Sequence, residues 1–184
     1  MIKNKYKSDY QASPRMDARG RIRADYYYTG DYYCLPLDEA AKKKAGTGNL
    51  LFGFGMLALI VTAGLLNADS SRIAWITFPY IFLFLPCAYL LFGAFSFLSA
   101  GVRMTKPVYD GSLVRMQKSC WGVIILSGIN LILDIVFMIL NHAEIHMVKE
   151  GLFSALMAGL LVLGISFGRY YDRKYMPVTV ERAQ

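Results

Sequence analysis

The chain has 184 residues, room for one compact unit; 55% of it is hydrophobic, 18% is charged, and the net charge is +7. Its apolar residues come in long blocks with no charged face, which excludes a soluble bundle of amphipathic helices. The excess positive charge therefore points to anionic lipid head groups and not to nucleic acid.

Residues 1–20 are polar and poor in aliphatic side chains, which predicts a flexible start. Residues 21–35 differ, because Tyr26, Tyr27, Tyr28, Tyr32 and Tyr33 cluster there. Tyrosine favours strands and Thr29-Gly30-Asp31 offers turn chemistry, so a small hairpin is expected, 23–28 paired with 31–35. A lone hairpin is marginal in water, and these tyrosines are expected to dock on a partner subunit, the membrane surface or the middle loop. Asp38 can cap a short interfacial helix over 39–45, with Gly46 and Gly48 breaking it before the first span.

A bilayer core about 30 Å thick needs about 20 apolar residues of helix. Four stretches meet or approach that length, at 49–67, 73–100, 120–140 and 148–168. The expected fold is an all-α membrane protein: a transmembrane bundle over 49–168, a Tyr-rich segment over 1–48 and a tail over 169–184. With 48 polar residues before the first apolar run, that run is expected to be a retained helix and not a cleaved signal. Pro79 and Pro86 fall inside the second span, and each can kink it.

Lys and Arg divide unevenly. The segment before the first span carries ten, the loop 101–119 four and the tail four, whereas the other two loops carry only Arg72 and Lys149. The positive-inside rule then places both termini and the middle loop in the cytoplasm of a plasma membrane. Cys34, Cys87 and Cys120 would all avoid an oxidising compartment, so no disulfide is expected.

In the third span Asp134 is an ionisable side chain near mid-helix. At about 100° per residue, Ser127, Asn130, Asp134 and Asn141 share one polar stripe with Cys120. The stripe predicts either cross-helix hydrogen bonding or a proton or cation site, with bonding favoured because no second charged residue stands at comparable depth. In the fourth span Gly151, Ala155 and Gly159 recur every four residues, a pattern that lets another helix approach; packing within the chain is the expected use. His142 and His146 in the preceding loop are spaced to share a metal, but the metalloprotease order is absent and solvated histidines are expected instead.

No catalytic triad, paired catalytic carboxylates, phosphate-cradling loop or CxxC motif stands in the sequence. We therefore expect no enzyme and no cofactor. The leading expectation is an accessory subunit of a larger membrane complex, such as a transporter or secretion assembly of a bacterial inner membrane, contacting other subunits or its own copies. The alternative is a small oligomeric transporter or channel with Asp134 as its proton or cation site.

Overall fold

The computed structural model describes residues 4–16, 22–141, 145–176 and 178–182. In chain order it holds a 3₁₀ turn (Asn4–Asp9), strands β1 (Tyr10–Met16), β2 (Ile22–Tyr28) and β3 (Tyr32–Cys34), and helix α1 (Glu39–Leu65). A 3₁₀ turn (Asp69–Arg72) leads into α2 (Ala74–Phe82) and α3 (Phe84–Ser99). Then come β4 (Arg103–Thr105), the short α4 (Lys106–Tyr109), a π turn (Asp110–Val114), α5 (Arg115–Asn141), α6 (Met147–Tyr175) and β5 (Thr179–Glu181). Four helical segments among these are long and apolar enough to cross a membrane: Glu39–Leu65, Ala74–Ser99, Lys106–Asn141 and Met147–Tyr175. They fit an integral, multi-pass membrane protein.

Three of the four segments run beyond the apolar blocks at one end or both, and the second, Ala74–Ser99, stays inside its block. Helix α1 starts at the Asp38 cap, whose carboxylate accepts from the Ala41 N–H at 2.6 Å, and passes through Gly46 and Gly48 without a break. The separate helix 39–45 is thus absorbed into the first span. Gly46 serves packing, since a Cβ there would clash with the Leu98 side chain. Helix α1 ends where Asn67 takes a left-handed φ of 46°, a conformation that asparagine tolerates.

The second span divides at Leu83. Pro86 has no N–H for the Phe82 carbonyl, and its ring crowds that carbonyl, so the helix breaks one turn ahead of the proline. The third helical segment begins at Lys106, inside the expected loop, with Pro107 in its first turn and Gly111 in the π turn. The fourth continues to Tyr175 because its last aromatics are buried: Tyr171 donates to the Leu113 carbonyl at 3.1 Å, and Tyr175 to Asn49 Oδ1 at 2.9 Å.

The core lies along the bundle axis and includes Met56, Ile60, Leu90, Phe97, Met116, Met157, Leu160 and Phe167, all fully buried. Outward faces carry large apolar side chains such as Leu51, Phe92, Ile132 and Val162, as lipid contact requires. Glycines set two close approaches. A Cβ at Gly93 would meet Met116 at 2.7 Å, and one at Gly164 would meet Ile124 at 2.9 Å.

The tyrosine segment forms strands with other partners than expected. β2 pairs antiparallel with β1, drawn from the stretch expected to be flexible, and β3 pairs with both β4 and β5. The pairing of 23–28 with 31–35 is replaced, because strands from the middle loop and the C-terminal tail reach β3. Sheet β4-β3-β5 thus gathers the N-terminal segment, the middle loop and the tail at one end of the bundle.

Candidate functional site

Helix α5 turns its polar stripe inward: Ser127, Asn130 and Asp134 are fully buried and Cys120 nearly so, while Asn141 is half-buried at the helix end. The stripe members do different work. Ser127 donates to the Ile124 carbonyl, Asn130 Nδ2 to Leu126 and Asn141 Nδ2 to Phe137, all within their own helix. Cys120 Sγ reaches across to the Gly164 carbonyl at 3.3 Å. Asp134 also bonds across helices, accepting from the Ser154 hydroxyl of α6.

A second acid stands beside it. Glu150, on the first turn of α6 and fully buried, brings its carboxyl group alongside that of Asp134. Its Oε1 accepts the Ser70 backbone N–H at 3.0 Å, and the Ser70 side chain also borders Asp134. Glu150 and Ser154 lie four residues apart, so one face of α6 supplies both groups. Asp134 Oδ1, Glu150 Oε2, Ser70 Oγ and Asn130 Oδ1 are buried without a hydrogen-bond partner. Among the described residues, no Lys, Arg or His pairs with either acid.

The cluster sits near the bundle end opposite the sheet. Asp134 lies seven residues before the end of α5, roughly 10 Å inside it at 1.5 Å per residue. The turn Asp69–Arg72 covers it. Asp69 Oδ2 accepts the His146 N–H at 3.0 Å and lies 3.1 Å from His146 Nδ1, which joins the first loop to the start of α6. The His146 N–H, with the imidazole beside it, holds the Asp69 carboxyl below the usual carboxylate range.

Other expected sites fare differently. Gly151 and Ala155 face outward, and a Cβ at Gly151 would meet nothing within 4 Å. The half-buried Gly159 has only Leu59, at 4.0 Å from its Cβ position. The expected close-packing stripe is therefore not where α6 meets its neighbours; the approach to α5 falls at Gly164, where the buried face of the helix runs. Tyr26 and Tyr27 are exposed on the β1–β2 ribbon. Tyr28, Tyr32 and Tyr33 dock instead on their own chain: Tyr28 accepts from the Lys106 N–H, Arg103 lies over the Tyr32 ring, and Tyr33 stacks on Tyr109 at 4.3 Å. His142 lies outside the described residues. Among those described, no group of three or more His, Cys, Asp or Glu could hold a metal.

The sequence offered a signal for Glu150, Ser154 and Ser70 only in part. Glu150 is an acid at the edge of an apolar block, but whether it ends the helix or enters the bundle depends on where α6 begins.

Fold and site together define a multi-pass membrane protein with two adjacent acids buried at one end of a four-helix bundle. The chain matches no protein-family model, no curated protein and no solved structure.

Proposed function

We propose that this protein is a small membrane carrier that takes up and releases a proton at the Asp134–Glu150 pair, with both termini in the cytoplasm and the pair near the outer face. The observation that carries the proposal is two fully buried acids side by side without a cation partner. A charge at such depth is costly, and two adjacent negative charges more so. A single proton held between them removes the repulsion, halves the buried charge and gives Asp134 Oδ1 or Glu150 Oε2 the partner it lacks. The Ser154 hydroxyl and the Ser70 N–H orient the remaining oxygens. Opening of the Asp69–His146 contact would admit water to the pair.

Purified protein in liposomes loaded with a pH-sensitive dye tests this. Wild type should acidify the lumen under an imposed proton gradient. Asp134→Asn and Glu150→Gln should each cut that flux at least about a hundredfold, the low end of the usual effect of losing a positioned proton-transfer group, while eluting as wild type on size exclusion. Loss of assembly in Asp134→Asn would make the pair a structural bridge and would end the carrier proposal.

A second reading, an accessory subunit, has its own support. Tyr26, Tyr27 and Met16 lie exposed on the β1–β2 ribbon, and the small residues Gly151 and Ala155 leave one face of α6 open to another helix. Native mass spectrometry of protein gently extracted from its host membrane separates the two. Stoichiometric partner subunits favour the accessory role; a homo-oligomer or monomer favours the carrier.

A further inference from the structure

At the sheet end of the bundle a cavity of about 900 Å³ opens between α3 and α5. Its lining includes Pro86 and Tyr89 of α3, Val114 before α5 and the buried Ser119. Its rim is basic, with Lys5, Arg115 and Lys118. Asp110, also at the rim, is already engaged by Lys5 at 2.7 Å and by the Tyr6 hydroxyl at 2.8 Å. Among the described residues, Arg115 and Lys118 make no ion pair. Arg115 is held over the Tyr89 ring at 5.8 Å. Since α3 runs on ten residues past Tyr89 to Ser99, the ring lies about 15 Å inside that helix end. Two cations that make no ion pair among the described residues thus line, with Tyr89 and Pro86, a cavity within the helical segments long enough to cross a membrane.

We propose that this cavity is a binding site for one anionic phospholipid. Its phosphate sits between Arg115 and Lys118, and one acyl chain lies along Tyr89 and Pro86. The planar guanidinium can grip two phosphate oxygens, with the Lys118 ammonium as a second charge one turn along the helix. The 3₁₀ turn Asn4–Asp9, fastened through Asp110, closes the groove from the aqueous side. A lipid fits better than a soluble phosphate because Tyr89, which lines the cavity, shares an exposed apolar face of α3 with Leu85 and Phe92.

Native mass spectrometry of detergent-solubilised full-length protein, with dioleoyl phosphatidylglycerol or dioleoyl phosphatidylcholine added, tests the assignment. Wild type should retain one phosphatidylglycerol per chain in preference to phosphatidylcholine. Arg115→Gln with Lys118→Gln should weaken retention about thirty-fold, from roughly 1 kcal/mol per basic residue. Lys118→Gln alone, at an exposed position that folding does not need, should weaken it about fivefold on the same basis. Equal retention of the two lipids, or unchanged retention in the Lys118 variant, overturns the proposal. Complete displacement of phosphatidylglycerol by millimolar inorganic phosphate also overturns it, because the ligand would then be a soluble phosphate.

Discussion

Asp134 bonds across helices to Ser154, whereas its stripe neighbours Ser127 and Asn130 bond their own backbone. A hydroxyl or amide on a membrane helix can satisfy itself four residues back, but a carboxyl cannot, because it has no proton to give when ionised. Ser154→Ala should therefore destabilise the protein by about 1 kcal/mol, the scale of membrane interhelical hydrogen bonds, measured by steric trapping or denaturant unfolding in bicelles. Asp69 sets a pH dependence of its own. Its folded pKa lies below the ordinary value of about 3.9. The contact to His146 thus contributes stability that is present above that ordinary value and is lost as pH falls through the lower folded one. Wild type should lose melting temperature more steeply than Asp69→Asn on acidification from about pH 5 to about pH 2.

Glycines separate packing faces from open faces among the helices. Gly164→Leu should destabilise by about 1–3 kcal/mol, the usual cost of overpacking, because its Cβ already meets Ile124 at 2.9 Å. Gly151→Leu should leave the unfolding transition in place, since its Cβ meets open space; equal effects from the two would contradict the orientation of α6. The apolar blocks were legible at this scale, and so was the interruption of the second span, because length, hydropathy and Pro86 act locally. The helix ends were not. Glu39, Lys106 and Tyr175 lie outside the blocks, and polar residues there continue each helix because caps and tertiary contacts stabilise them. The small-residue stripe on α6 misled for a related reason: small residues permit a close approach, but the neighbouring helix decides which face receives it.

At the scale of the molecule, one end of the bundle is tied together by backbone pairing and by Lys42. That ammonium is buried and donates to the carbonyls of Leu98 and Ala100, which are left open at the end of α3. Truncation after Tyr175 removes β5 and frees one edge of β3. Hydrogen exchange at Tyr32–Cys34 should then rise toward that of an exposed segment, while the four spans stay protected. The opposite end closes through links that include Ser70 to Glu150 and Asp69 to His146, and those are the contacts that a proton-dependent opening would break.

The sequence by itself determined the class of molecule and that Asp134 lies within a span, because burial in lipid depends on the summed hydropathy of a local stretch. The tyrosine-rich strands were legible as strands for the same local reason. Tertiary structure alone decided their partners, since β3 pairs with chain 69 or more residues away and no local pattern encodes that register. It likewise decided that Glu150 enters the bundle beside Asp134. Two acids sixteen positions apart on different helices become one site only when the packing of α5 against α6 sets how those helices face each other.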